Sequence, residues 1–227
     1  MIPYSSALPM QSCYLELMKY YQDWRWLLSP ASVASVTKSN RHLLNMGYAI
    51  DNGAYAYWSK GVDFNEKAFL KLLDKYAQNA DWIVIPDSIG NWQETVKMFM
   101  LWTARLWQYN RPLMLVAQDG AERDDYAEIR AVTRRNFGLP IGIFVGGSTD
   151  WKLTHAPIIS QICIENNALC HIGRVNSAKR TRLCSEWGAT SFDGSGMSRY
   201  SATARRVSRE MQLLTLTDEE KEKLSCQ

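Results

Sequence analysis

The 227-residue sequence predicts an α/β chain closed into a TIM-like (β/α)8 barrel with an irregular or reduced first unit. Three observations lead there. Short β-rich runs recur, each closing on a polar residue or a glycine. Each is followed by a segment of helical spacing, the alternation that produces a parallel sheet. The length suits one large domain, 1–227, near the ~250 residues of such a barrel, with a helical tail over about 217–227.

The first unit is the least regular, a helix around Met10 to Tyr21 leading into "WRWLLSP" as a strand. The strands that follow are carried by "YAIDNGAY", "WIVIPDS", "LMLVAQDG", "IGIFVGGS", "CHIGRVNS" and "ATSFDGSG". Helices are predicted at Asn65–Gln78, Asn91–Gln108, Arg123–Asn136, Asp150–Glu165, Ser177–Trp187 and Tyr200–Leu214. Phe69, Leu72, Leu73 and Tyr76 recur at the three- and four-residue steps of one buried helix face. Seven or eight such units favour closure over an open doubly wound sheet. No G-x-G-x-x-G or G-x-x-x-x-G-K-[ST] loop follows any strand, which weakens nucleotide-cofactor readings.

Composition narrows the class further. With 46% hydrophobic and 22% charged residues the chain reads as globular, and no apolar run approaches the ~20 residues of a membrane span. The N-terminal residues show no basic segment followed by an apolar one, so no secretory signal is expected. Five scattered cysteines argue against a disulfide framework and suit a reducing, cytoplasmic compartment. The net charge of +3 implies no partner by itself. Between His171 and Arg209, however, eight Arg and Lys residues face only Glu186 and Asp193. That run is either a phosphate-binding face or a solvated helix face.

In a barrel of this kind the functional groups stand at the carboxyl ends of the strands. Those ends are Asp51, Asp87, Gln118, Gly146 with Gly147, Arg174 and Asp193. Singly, an Asp at such a junction is most often the cap of the next helix. Together, carboxylates, a carboxamide, a glycine pair and an arginine suit a polar planar ligand.

The runs "IDNGAYAYW", "PD" at Pro86-Asp87, "VAQDG", "FVGGS" and "HIGRVNSAKRTRLCSEWGATSFDG" resemble, in order and spacing, the sites of the tRNA-guanine transglycosylases. They resemble more closely the DpdA-like relatives with which phages and bacteria place 7-deazaguanine bases in DNA. The resemblance spans roughly Tyr48 to Arg199. It implies Asp193 as the nucleophile that attacks C1′ and expels guanine, and Asp51 as the group that moves protons on the departing or incoming base. It implies base contacts from Asp87, Gln118, Gly146 and Gly147. Arg174 and Asn176 are assigned to phosphate or sugar, with Arg180, Arg199, Arg205 and Arg206 from the basic run. Asp193 is followed by Gly194 and Gly196, which would let a sugar approach closely. Tyr55, with Tyr57 and Trp58, would stack on a base, whereas Trp92, Trp102 and Trp107 read as packing.

The expected partners are therefore guanine-containing DNA, flipped or single-stranded, and a free 7-deazaguanine base such as preQ0. A second copy of the chain or a modification-complex partner is a further expectation. No cofactor and no metal are required, since two acids suffice to trap an oxocarbenium-like centre and move its protons. The chain departs from the tRNA enzymes in lacking their C-x-C-x-x-C zinc spacing, in "NGAY" after the first acid and in "GSGMSR" after the second. A hydrolytic DNA glycosylase or nucleoside hydrolase, or a catalytically silent nucleic-acid-binding barrel, are the alternatives on the same scaffold.

Overall fold

The computed structural model describes residues 1–134, 140–217 and 220–221. Eight parallel strands close into a barrel in chain order. They are β1 (Ile2–Ser5), β2 (Arg25–Leu28), β3 (Tyr48–Ile50), β4 (Ile83–Val84), β5 (Leu113–Ala117), β6 (Ile141–Val145), β7 (Cys170–Ile172) and β8 (Ser191–Gly194). The helices are α1 (Gln11–Tyr20), α2 (Ala54–Trp58), α3 (Glu66–Tyr76), α4 (Trp92–Leu106), α5 (Tyr126–Arg134), α6 (Thr149–Glu165), α7 (Ala178–Glu186), α8 (Gly196–Arg199) and α9 (Ser201–Thr215). None of those described is long and apolar enough to cross a membrane. The end of the helix expected over Arg123–Asn136 and most of the expected tail over 217–227 lie outside the described residues.

The expectation of a reduced first unit is corrected. β1 pairs with β8 over four residues, Ile2 to Ser5 against Ser191 to Gly194, and with β2 on its other side. The unit β1–α1–β2 is regular. Its strand is hard to read locally because it is four residues long and contains Pro3, and only its two partners define it. The irregular link comes next: two 3₁₀ turns, Val33–Ser35 and Arg41–Met46, stand between β2 and β3 where a helix would be expected.

Period-2 alternation sorts the strand residues into two layers. Tyr4, Leu27, Ala49, Trp82, Val84, Met114 and Val116 fill the barrel interior. Their neighbours Trp26, Leu28, Ile50, Ile83, Leu115, Ile143, Ile172 and Phe192 face the helices. The interior is tight at Gly142, where a Cβ would lie 2.6 Å from the Met114 sulfur. At the amino end of the strands the Tyr4 hydroxyl donates to Asp81 at 2.8 Å, and Arg25 pairs with the same carboxylate at 2.7 Å. Trp92 and Trp102 are core residues, as expected of packing groups, but Trp107 is 42% exposed.

Helix boundaries follow their caps. Asn65, Asn91, Ser148 and Ser177 each accept a hydrogen bond from the third residue beyond, starting α3, α4, α6 and α7. α9 closes the outer ring against α1, where the Ser208 hydroxyl donates to the Leu17 carbonyl at 2.5 Å.

Candidate active site

A pocket of about 1000 Å³ opens at the carboxyl ends of the strands. Asp51, Asp87, Gln118, Gly146, Gly147, Arg174 and Asp193 all line it, as do Tyr55 and Arg199. Alternation explains the convergence. Phe192 faces the helices, so Asp193 faces the axis; Ile50 faces outward, so Asp51 faces inward.

Asp193 is 5% exposed and is met by three donors. The Ser6 hydroxyl donates to its Oδ2, while His171 Nε2 at 3.2 Å and the Arg174 backbone N–H at 3.3 Å meet Oδ1. Burial disfavours the charge, but His171, Ser6 and the Arg174 N–H outweigh it and hold the carboxyl below its ordinary range. His171 is fully buried, stacked on Phe144 with ring centroids 4.7 Å apart. Burial lowers its pKa despite the adjacent carboxylate, so the ring is neutral. Nε2–H then donates to Asp193, and Nδ1 accepts from the Ser191 hydroxyl at 2.8 Å.

On the opposite wall Asp51 has fewer donors. Asp51 Oδ2 accepts the Gly53 N–H at 3.2 Å. Burial, followed by the charges of Asp193 and Asp87, raises its pKa to about 7. Asp87 accepts from Asn52 Nδ2 at 2.8 Å and Gln118 Nε2 at 2.9 Å. Burial raises it to about 6 in spite of those two bonds. Gln118 Nε2 also donates to the Ser88 carbonyl at 2.8 Å. Its amide hydrogens are thus engaged within the protein, and its carbonyl oxygen is what it can offer a ligand. The Gly146 N–H is likewise engaged, by the Ala117 carbonyl at 2.8 Å. Gly147 has φ +72°, and a Cβ there would lie 2.8 Å from Asp119 Oδ2.

Aromatic and basic groups form the rim. Tyr55 and Trp58 are 48% and 58% exposed, with centroids 5.6 Å apart. The Arg174 guanidinium lies 4.9 Å from the Tyr55 ring centre. Arg174 itself has φ +59°, a strained conformation for a residue with a side chain, and it is this turn that aims its N–H at Asp193. Lys60 and Arg199 complete the basic groups of the lining. Tyr57 packs on Phe64 and does not line the pocket.

Four expected phosphate or sugar contacts stand elsewhere. Asn176 accepts the Gly196 N–H at 2.7 Å and pins the turn after Asp193. Arg180 donates to the Thr149 hydroxyl at 3.1 Å, in a crevice behind β7. Arg205 pairs with Glu16 at 2.7 Å, and Arg206 bonds the Ala202 carbonyl, both on the exposed face of α9. The basic run is contiguous in sequence, but strand, loop and helix distribute it between the mouth and the outer shell. The role expected of the glycines is also corrected. A Cβ at Gly194 would run into the Val175 carbonyl, and one at Gly196 would lie 2.8 Å from Asn176 Oδ1, so both make room for the β7 loop.

Sequence reasoning missed Ser6, His171, Asn52 and Asp119. His171 is the inward member between outward Cys170 and Ile172, so alternation alone could have found it. Asp119 accepts from the Ser148 N–H at 2.5 Å and hydroxyl at 2.6 Å. The described cysteines, Cys13, Cys163, Cys170 and Cys184, are buried and form no disulfide. Among the described residues no group of three or more His, Cys, Asp or Glu side chains is arranged to hold a metal ion.

This geometry defines the class, a (β/α)8 barrel with an acid-floored pocket at the strand ends. No protein-family model and no curated protein matches the chain. Solved structures that resemble it include RipC from Yersinia pestis, with a TM-score of 0.53 and 11% identity over 97% of each chain. CdNal from Clostridium difficile, solved in complex with mannosamine, matches with a TM-score of 0.54 and 12% identity over 98% of this chain and 78% of that one. An HpcH/HpaI aldolase from Desulfitobacterium hafniense DCB-2 matches at 0.51 and 10% identity, over 96% of this chain and 93% of that one. At these identities the likeness is one of fold.

Proposed function

We propose that the chain is an enzyme of glycosidic bond exchange, replacing guanine in DNA by a 7-deazaguanine base such as preQ0. The observation that carries this reading is the pairing, in one pocket, of an ionised carboxylate held by three donors with a second carboxyl that titrates near neutrality. Asp193 Oδ attacks C1′ as the C1′–N9 bond breaks, and Asp51 gives its proton to the departing guanine. A covalent aspartyl ester results. The incoming base then attacks C1′, the ester bond breaks, and the proton released by that base returns to Asp51. Two displacements retain configuration, and both carboxyls end as they began.

The vertical order of the pocket supports a nucleotide. Asp51, Asp87 and Asp193 form the floor, where a purine-like base with N–H donors fits and a phosphate would be repelled. Arg174, Arg199, Lys60, Tyr55 and Trp58 form the rim, where phosphates and a neighbouring base fit. The names of the structural neighbours raise the prospect of aldolase chemistry. Of the described lining residues the only lysine is Lys60, an exposed rim residue, which disfavours an imine on the floor.

The test is release of labelled guanine from DNA with and without added preQ0. Release that requires the added base is expected. Release without it, leaving abasic sites, would replace exchange by hydrolysis; DNA binding without release under either condition would leave a binding barrel.

A further inference from the structure

Behind β7, the first turn of α6 and the start of α7 enclose a small crevice that shares Arg174 with the main pocket. None of its lining residues is acidic, and three of them, Lys152, Arg174 and Arg180, are cationic. Its volume of about 20 Å³ admits one oxygen-sized group, with the rest of a ligand left at its mouth.

Lys152 is the unusual member. It projects from the buried side of α6 and is 6% exposed. One ammonium hydrogen bonds the Gly173 carbonyl at 2.5 Å. An ammonium carries three donors, and the other two have no protein acceptor among the described residues. Arg180, half-buried, is steadied by the Thr149 hydroxyl at the same crevice. Burial and then the charge of Arg174, with Arg180 adding to it and Asp193 opposing it, pull the lysine down to about 8, so it remains mainly charged at neutral pH. Asp193 offsets part of the cost of a buried cation with unsatisfied donors beside two other cations, and an anion bound in the crevice offsets more of it.

We propose that this crevice is a phosphate subsite, in which one phosphate oxygen enters between Lys152 and Arg180 while Arg174 bridges to the main pocket. Its preference for phosphate stands on the crevice itself; that the phosphate belongs to the nucleotide whose base enters the pocket rests on the function proposed above. The phosphate is either a diester of a DNA strand or the terminal group of a free nucleotide.

Titration of the full-length protein with inorganic phosphate, followed by calorimetry, tests the subsite directly. Saturable binding is expected, weakened about tenfold or more in Lys152→Gln and in Arg180→Gln, as for loss of a charge-assisted bond. Arg205→Gln, on the outer shell, should leave it unchanged. Because Lys152 is buried, Arg180→Gln on its half-exposed residue carries the test if the first variant does not fold. No saturable binding, or binding indifferent to Arg180→Gln, overturns the subsite. Deoxyguanosine, its 5′-monophosphate and a short guanine-containing oligonucleotide then separate the two claims. A Lys152- and Arg180-dependent gain for the monophosphate over the nucleoside identifies a free nucleotide, and dependence confined to the oligonucleotide identifies a strand. If inorganic phosphate binds as expected but no guanine compound does, the subsite stands and the nucleotide reading falls.

Discussion

On the β7–β8 side of the pocket a buried aspartate meets three donors. On the β3–β4 side, Asp51 meets a backbone N–H and lies near two other acids. The residue type is the same and burial is the leading influence on both, yet Asp193 is pushed down and Asp51 is pushed up. Donors and neighbouring charge together decide which acid carries charge: Asp193 has His171, Ser6 and the Arg174 N–H, whereas Asp51 faces the charges of Asp193 and Asp87. Desolvation acts on both, and only on the Asp193 side do the favourable partners exceed it, while on the Asp51 side neighbouring carboxylates add to it. A nucleophile and a proton donor have to differ in this way, and one fold produces both by surrounding them differently.

Breaking the Asp193 side has the largest expected effect. Asp193→Asn should lower exchange by about 10⁴-fold or more and abolish a covalent DNA adduct, while circular dichroism remains native. An adduct that persists on a denaturing gel would remove Asp193 from the nucleophile's role.

Next comes Asp51→Asn, expected to slow exchange about 10²- to 10³-fold at neutral pH. In the wild type the acid-dependent step should weaken as pH rises through about 7, and the substitution should flatten that limb. Stability gives an independent reading. The folded protein keeps the Asp51 proton up to about pH 7, whereas an ordinary aspartate releases it at 3.8. Between those values the folded state binds the extra proton, so this group makes stability fall as pH rises. Asp51→Asn removes the penalty: relative to wild type it should gain stability from pH 4 to 7, reaching on the order of 2 kcal/mol above pH 7 after discounting for pocket water. Equal melting temperatures at pH 8 would show that Asp51 titrates normally.

His171→Phe sharpens the comparison by converting one side toward the other. Without the imidazole, Asp193 loses a donor, so the acid limb of the pH–rate profile should move upward; the Ser191 hydroxyl also loses its acceptor, for a stability loss of about 1–3 kcal/mol. An unchanged limb would reduce His171 to packing. Ser6→Ala should act in the same direction but more weakly, about tenfold on rate with little change in melting temperature.

The smallest effect belongs to the outer shell. Arg205→Gln should leave DNA affinity and its salt dependence unchanged, because Arg205 is paired with Glu16 away from the mouth. Arg174→Gln and Arg199→Gln should each flatten the salt slope. A flattened slope in Arg205→Gln would return α9 to the binding face.

Much of the site was legible because a polar residue that ends an apolar strand marks the rim of a parallel barrel. Asp51, Asp87, Gln118, Gly146, Gly147, Arg174 and Asp193 were found that way and share one pocket. The basic run is split in space, because linear proximity says nothing about layer. Arg174 and Arg199 reach the mouth, Arg180 lines the adjoining crevice behind β7, and Arg205 and Arg206 follow α9 away from both. Ser6 was missed along with β1, whose four residues show no pattern of their own until β2 and β8 flank them.

Sequence alone determined the barrel and the acids at its strand ends, since periodicity and strand-end chemistry are local properties of the chain. Tertiary structure decided the protonation of those acids, the partners of Asp193 and the reason for Gly194. Each depends on how residues far apart in the chain approach: Ser6 reaches Asp193 across 187 positions, and the Val175 carbonyl leaves no room for a Cβ at Gly194. Desolvation and hydrogen bonding act through distance in space, which a linear pattern does not encode.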